Sequence, residues 1–129
     1  MAHATCPCGG PGAYADCCEP LHDRVREAET AEQLMRSRYS AYAMGRDDHV
    51  FRTWHPRTRP ADLAETGLDR STRWIGLRVV EVVDGGPGDD EGIVCFEADW
   101  IAGGTTSTMR ERSRFGRRAG RWVYVAAVD

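Results

Sequence analysis

The sequence contains no lysine: its 17 basic residues are all arginine, set against 20 acidic residues for a formal net charge of −3. The arginine bias reads as the mark of a GC-rich genome rather than a physical need. A mildly negative balance predicts no general affinity for nucleic acid. No apolar run approaches the roughly 18 residues that a membrane-spanning helix needs. The N-terminus lacks the order of charged, apolar and small residues that marks a secretory signal, so a reducing, cytoplasmic location is expected. Internal repeats, a phosphate loop, a nucleophile elbow and a metalloprotease helix are all missing. Ser113 has no histidine near it in sequence, and nothing recommends a catalytic triad. A chain of 129 residues suits one domain and a small appendage.

Against this plain background, cysteine is concentrated. Four of the five cysteines, Cys6, Cys8, Cys17 and Cys18, fall within residues 6–18. Few apolar residues accompany them, and Gly9-Gly10-Pro11-Gly12 reads as a tight turn. Such a segment cannot fold by burying surface. Four thiolates around one zinc ion would hold it, because zinc takes sulfur ligands tetrahedrally and a structural site supplies folding energy. Four thiolates with one zinc would add about −2 to the local charge. The alternatives are a disulfide, an iron–sulfur cluster and an inert group of thiols. Adjacent cysteines rarely bridge each other, and the usual ferredoxin spacings are absent. His22, four residues past Cys18, could replace a thiolate. A surface or supporting role is the plainer reading.

The pattern C-x-C-x8-C-C, with glycines after the second cysteine, resembles the SEC-C motif. That motif ends the preprotein translocase ATPase and many otherwise unrelated bacterial proteins. The resemblance implies zinc held by Cys6, Cys8, Cys17 and Cys18. The chain departs from the motif in the turn, where Ser-Gly is usual and Gly10-Pro11 stands here.

Beyond the knuckle, Asp23 to Glu29 reads as a charged connector. Thr30-Ala31-Glu32-Gln33 has the form of a capping box, with Thr30 at the N-cap. A helix is predicted from there to Met44, with Gly45 at the C′ position. A second helix is predicted from Asp47 or Asp48 to Trp54, stopped by Pro56. A short third helix is predicted between Pro60 and Gly67. From Arg73 the pattern changes to valine-rich segments separated by glycine turns. Strands are predicted over 73–83, 93–101, 105–115 and 121–128, joined as an antiparallel meander. Helices first and strands afterwards argue for α+β, with the helices packed on one sheet face. The expected boundaries are a zinc-binding knuckle over 1–22 and an α+β domain over 23–129.

Strand parity assigns the faces. Arg110, Arg112 and Arg114 share one side of the third strand and must meet water. Met109, Glu111, Ser113 and Phe115 share the other. Val94, Phe96, Ala98 and Trp100 form the inward set of the second strand, and Trp122 and Tyr124 lie together on the fourth. Val79 and Val80 point opposite ways although both are apolar. Glu111 therefore falls on an inward face, where a lone carboxylate must find a partner or a raised pKa. Arg38, Tyr39, Tyr42 and His55 are the candidate partners. A structural ion pair is the plain reading; a ligand-binding or acid–base group in a pocket is the sharper one. The arginines at 110, 112, 114, 117, 118 and 121 form a stripe that reads as a solvated, edge-protecting face rather than a site for an anionic partner.

A second resemblance covers residues 5 to 126. It is carried by the run from Thr30 to Tyr42, by Thr53-Trp54-His55-Pro56, by Glu111-Arg112-Ser113-Arg114-Phe115 and by Trp122-Val123-Tyr124. These segments are similar to the YchJ family, small bacterial proteins with an N-terminal SEC-C knuckle. The resemblance implies a nuclear-transport-factor-2-like (NTF2-like) cone, a curved four-stranded sheet wrapped on helices around a cavity. That fold hosts enzymes and binding modules alike, so it does not choose between them. Two readings follow. One is a cytoplasmic adaptor whose knuckle docks on a protein or ribonucleoprotein partner. The other is a small-molecule binder or enzyme using a pocket of Arg38, Tyr39, Tyr42, His55, Trp100 and Glu111. An Arg38–Glu111 ion pair in a space filled by rings would sink the second; an open pocket with Glu111 unpaired would favour it. A homodimer through the open sheet face is compatible with Val123, Val125 and Ala127.

Overall fold

The computed structural model describes residues 5–10, 12–63 and 71–128. A one-turn 3-10 helix, Tyr14–Asp16, and α1, Glu19–His22, follow the first cysteine pair. Helix α2 spans Ala31–Met44 and α3 spans Asp47–Arg52. Four strands complete the chain: β1, Arg73–Asp84; β2, Glu91–Ala102; β3, Thr105–Arg118; and β4, Arg121–Val128. They form one antiparallel sheet in the order β1-β2-β3-β4. Among the described residues, no helix is long and apolar enough to cross a membrane.

Helix α2 starts and stops where local chemistry dictates. Thr30 Oγ1 accepts the Gln33 N–H at 3.0 Å, leaving one fewer orphan donor in the first turn. The return bond differs from the predicted box: Gln33 Oε1 accepts the Glu29 N–H at 2.7 Å, one residue further out. Gly45 ends the helix in the left-handed region at φ 74°, where glycine pays no Cβ penalty.

Helix α3 stops two residues earlier than predicted. The next residues turn extended because the open edge of β4 captures them. The Tyr124 N–H donates to Thr53 O, and the His55 N–H donates to Tyr124 O, each at 2.8 Å. The short helix predicted to close at Gly67 falls outside the described residues.

The buried cluster joins Leu21, Ala28, Ala31, Leu34 and Met35 to Val94, Phe115 and Trp122 of the sheet. The N-terminus of α2 approaches the β1–β2 hairpin through two glycines. A Cβ on Gly92 would stand 2.4 Å from the Gly85 Cα, and one on Gly85 would stand 2.7 Å from the Ala31 Cβ. The Ala31 N–H then reaches Gly85 O at 2.9 Å.

Register breaks between Trp74 and Gly76 and between Val79 and Glu81 resolve the ambiguous parity of β1. Val79 packs on the core, whereas Ile75 and Val80, the residues at the two irregularities, are exposed. The outer face carries a charge ladder. Arg78 contacts Glu97 and Asp99, Arg110 contacts Glu97, and Arg112 contacts Glu81. Three of the basic residues predicted or found on this face thus have acidic neighbours, at contacts that are exposed and individually weak.

Candidate functional site

Two clusters of polar chemistry lie on different sides of α2. The first is the cysteine group. The Cys6 N–H donates to Gly12 O at 3.0 Å and the Gly9 N–H to Cys6 O at 3.2 Å, closing the loop that brings Cys6 and Cys8 together. Gly9 adopts φ 83°, and a Cβ there would press on Leu77 O at 3.3 Å. The short 3-10 helix then returns the chain, and Cys18 caps the start of α1.

The ligand atoms of Cys6, Cys8, Cys17 and Cys18 all lie within 4.8 Å of one another. Cys8 and Cys17 sulfurs are 3.6 Å apart, and those of Cys17 and Cys18 are 3.9 Å apart. Four sulfurs at about 2.3 Å from a tetrahedral ion lie about 3.8 Å from each other, so the spacing fits a four-thiolate metal centre. Charge points the same way. A hydrogen bond from Cys18 leads the effects that pull Cys8 down to about 5. Burial, reinforced by the bond to Cys8, pushes Cys17 up to about 12, and the bond to Cys8 with burial raises Cys18 as well. Without an ion the four thiols therefore resist becoming thiolates together. A divalent cation at the centre would offset the repulsion among them.

The knuckle is seated on the helices rather than standing apart as a surface module. Cys6, Cys8 and Cys18 are buried and Leu77 of β1 packs against them. Arg36 of α2 donates to Cys8 O at 2.7 Å. Arg52 of α3 donates to Leu21 O at 2.9 Å and His22 O at 3.0 Å. Arg46 reaches Tyr14 Oη at 3.2 Å and Asp23 at 2.7 Å.

His22 is neither a surface residue nor a metal ligand. It is 1% exposed, and both ring nitrogens are committed. Its Nε2 lies 2.8 Å from Ser37 O, so Nε2 carries the hydrogen. Its Nδ1 is left to accept from the Tyr14 hydroxyl at 2.7 Å. Burial lowers its pKa and keeps it neutral. The supporting role foreseen for it runs through Ser40, whose hydroxyl contacts His22 Nε2 at 3.3 Å and also bonds Cys18.

The sequence reading missed His49, which completes this network. Ser37 Oγ donates to Leu34 O at 2.7 Å and so accepts from His49 Nε2 at 2.9 Å. His49 Nδ1 in turn accepts from Arg52 at 3.0 Å. Burial drives the His49 pKa down to about 2. No local motif marks this residue; only its tertiary partners do.

The second cluster is a cavity of about 260 Å³ between α2 and the sheet. Met35, Arg38, Tyr39 and Tyr42 come from α2, and Trp54 comes from the segment after α3. Trp74, Phe96, Ala98, Met109, Glu111, Ser113, Phe115 and Tyr124 supply the sheet side. The predicted inward face of β3 is thus the cavity wall. Tyr39 and Tyr42 both meet the Trp74 ring edge-on, at centroid distances of 6.0 and 6.4 Å.

Glu111 does not pair with Arg38, Tyr39, Tyr42 or His55 by any hydrogen bond or ion pair among the described residues. Its Oε2 accepts from the Ser113 hydroxyl and from the Tyr124 hydroxyl, the latter at 3.0 Å. Its Oε1 has no hydrogen-bond partner among the described residues and lies where Glu111 lines the cavity. Arg38 is held instead by Val50 O at 3.0 Å and Thr53 Oγ1 at 2.8 Å. Its guanidinium carbon sits 5.0 Å from the Trp54 ring centre and 4.8 Å from that of Tyr124. Burial lowers the Arg38 pKa and raises those of Tyr42 and Tyr124, with Glu111 adding to the rise for both phenols. Tyr124 therefore stands between the two charges, ring toward Arg38 and hydroxyl toward Glu111.

Two of the predicted pocket residues lie elsewhere. His55 follows Trp54 on an extended segment, and successive side chains there take opposite sides. It faces a separate hollow with Asp84, Asp89 and Arg114, and its Nδ1 accepts the Arg57 N–H at 3.1 Å. Trp100 pairs with Trp74 across β1 and β2, but it is Trp74 that lines the cavity. The aromatic count of the inward faces found the wall; the irregularities of β1 hid the role of Trp74.

Comparison with known proteins agrees with this architecture. The family model described as YchJ, middle NTF2-like domain, matches residues 30–127. A UPF0225 protein of Chromobacterium violaceum is 47% identical over 129 residues, covering 99% of this chain and 95% of the relative. A UPF0225 protein of Streptomyces coelicolor is 45% identical over 124 residues, covering 96% and 94%. The solution structure of a SEC-C motif containing protein from Rhodopseudomonas palustris has a TM-score of 0.82 at 35% identity, covering 96% of this chain and 98% of that one. A crystal structure of a SEC-C motif containing protein from Psychrobacter arcticus has a TM-score of 0.76 at 27% identity, covering 94% and 80%. An N-terminal cysteine cluster, a helix pair and a four-stranded antiparallel cone in this order mark the chain as a member of the YchJ family, built on an NTF2-like domain.

Proposed function

We propose that this protein binds a small molecule in the cavity between α2 and the sheet, and that a structural zinc ion at Cys6, Cys8, Cys17 and Cys18 braces the helix forming one wall. The observation that carries the reading is Glu111. Its free oxygen opens on a space that the surrounding rings leave unfilled, with no cationic side chain paired to it among the described residues. A pocket that is mostly apolar with a few convergent polar groups is what small-ligand sites look like. Its volume of about 260 Å³ suits a compact ligand.

The adaptor alternative draws on the same knuckle. Its buried cysteines pack against Leu77, and Arg36 of α2 bonds its backbone, which favours bracing over docking. A cytoplasmic setting accompanies the proposal, since five unbridged cysteines suit a reducing compartment.

The test is mass spectrometry of the small molecules released from purified protein, beside an Ala98→Phe variant that fills the cavity. Ala98 is buried on the cavity wall. The expected result is a compound carried by the wild type and missing from the folded variant. Identical extracts from both proteins would count against the cavity as the working site.

A further inference from the structure

The cavity wall is aromatic and aliphatic except at a few points, and most of its polar groups are already spent. Arg38 donates to Val50 O and Thr53, and its planar face is taken by Trp54 and Tyr124. The hydroxyls of Ser113 and Tyr124 both point at one oxygen of Glu111. One group remains open to the cavity. Glu111 Oε1 is an acceptor with no donor among the described residues. Trp54 Nε1–H also lacks an acceptor among the described residues, but the atom is buried and offers the cavity no surface. A carboxylate oxygen without a donor in a poorly solvated space is costly, and asks for a partner outside the polypeptide.

The Trp54 ring meets Tyr124 edge-on at 5.2 Å between centroids, and the Tyr124 hydroxyl binds Glu111 at 3.0 Å. Charge restricts the ligand further. Arg38 and Glu111 bring one positive and one negative charge to the same cavity, and the Glu111 carboxylate favours the charged form of Arg38. A ligand with a net charge would leave an imbalance in a poorly solvated space; a neutral one would not. The volume, a little under the roughly 300–1,000 Å³ of clefts that hold drug-sized molecules, limits the ligand to about one or two rings.

Resting on the cavity-binding reading above, we propose that the site selects a neutral, largely apolar molecule of one or two rings that carries a hydrogen-bond donor, as a lactam does. The donor meets Glu111 Oε1. The aromatic walls take the apolar body.

The experiment uses the full chain, labelled with nitrogen-15, and follows the indole N–H resonance of Trp54, assigned by its loss in Trp54→Phe. Five probes of one size are titrated: oxindole, N-methyloxindole, indane, aminoindane and indane carboxylate. Oxindole is a neutral lactam with a donor; its N-methyl form lacks that donor, and indane has no polar group. Oxindole is expected to shift the Trp54 indole resonance saturably, with N-methyloxindole weaker by at least about fivefold. In Glu111→Gln the preference disappears, because the amide turns its oxygen to Ser113 and Tyr124 and its NH2 to the cavity. If indane or a charged probe binds as well as oxindole, the ligand class is wrong while the cavity reading stands. If no probe shifts any cavity resonance, the cavity reading falls and this inference with it. The comparison among probes is made on the wild type and does not depend on a variant folding.

Discussion

Removing the proposed zinc ion, or replacing one of the four cysteines that would hold it, is expected to destabilise the whole domain and not only the first 22 residues. The sequence alone suggests a loosened knuckle on an intact cone, because the cone has its own core. The structure gives a different expectation. Arg36 bonds Cys8 O, His22 bonds Ser37 O, and Arg52 bonds Leu21 O and His22 O. Each such bond contributes about 1 kcal/mol net. Leu21 is 4% exposed within the main core cluster, and its burial contributes about 2 kcal/mol. Allowing for non-additivity and for some contacts surviving, the loss should be about 3–6 kcal/mol. That is a large share of the roughly 5–15 kcal/mol that holds a typical domain together. At about 3–5 °C per kcal/mol for a chain of this size, the melting midpoint should fall by about 9–30 °C. The assay is thermal unfolding followed by near-ultraviolet circular dichroism, which reports the packed tryptophans of the sheet. It would be run on wild type with and without chelator and on Cys8→Ala. Leu21→Ala tests the same coupling without touching the metal, with an expected cost of about 2–5 kcal/mol. A sheet transition that moves by less than about 1 kcal/mol in all three cases would refute the coupling, and the knuckle would be a separate module after all.

Two further outcomes can be checked by chemical denaturation. Gly92→Ala places a methyl group 2.4 Å from the Gly85 Cα, a backbone atom that cannot swing aside, so a loss of about 1–3 kcal/mol or more is expected; unchanged stability would mean that the hairpin and α2 can separate freely. His49 is held at a pKa of about 2 against 6.5 in the unfolded chain, so the unfolded state binds its proton first as pH falls. Its contribution is fully present above about pH 6.5 and declines through pH 6 and 5 at up to about 1.4 kcal/mol per unit. The difference in stability between wild type and His49→Gln, measured at pH 7.0 and pH 5.5 on metal-loaded protein, should narrow at the lower value by about 1 kcal/mol; a constant difference would show that His49 protonates without cost.

Elements whose signals are local were legible in the sequence. Thr30 and Gly45 bracket α2 by capping chemistry alone, and the observed helix has the predicted limits. The glycine turns and valine-rich runs set four strands to within three residues at each end. Alternation along β3 assigned Glu111, Ser113 and Phe115 to one wall without any contact being known. Errors arose where one segment's direction depends on another. Trp54 and His55 leave the helix because the edge of β4 offers them hydrogen bonds, and no property of residues 53–56 announces that edge. The expected Arg38–Glu111 pair rested on opposite charge and a shared side. Tyr124, at the far end of the chain, separates them and answers both.

Helix α2 explains why the deeper organisation stayed hidden. At 3.6 residues per turn, Met35, Arg38, Tyr39 and Tyr42 fall on one side and Arg36, Ser37 and Ser40 on nearly the opposite one. A serine and arginine face opposite an apolar face ordinarily meets solvent, and the sequence invites that reading. Here Ser37 and Ser40 are fully buried, and Arg36 holds the Cys8 carbonyl. The polar face receives the knuckle and α3 together: Ser40 contacts His22 and Cys18, the Ser37 carbonyl accepts from His22 while its hydroxyl bonds His49, and Arg36 holds Cys8 O. One helix thus touches the cysteine group on one side and the cavity on the other. A shift of α2 on loss of the ion would carry Arg38, Tyr39 and Tyr42 with it, because close-packed interiors transmit displacement instead of absorbing it. The knuckle and the cavity are for this reason two ends of a single mechanical unit.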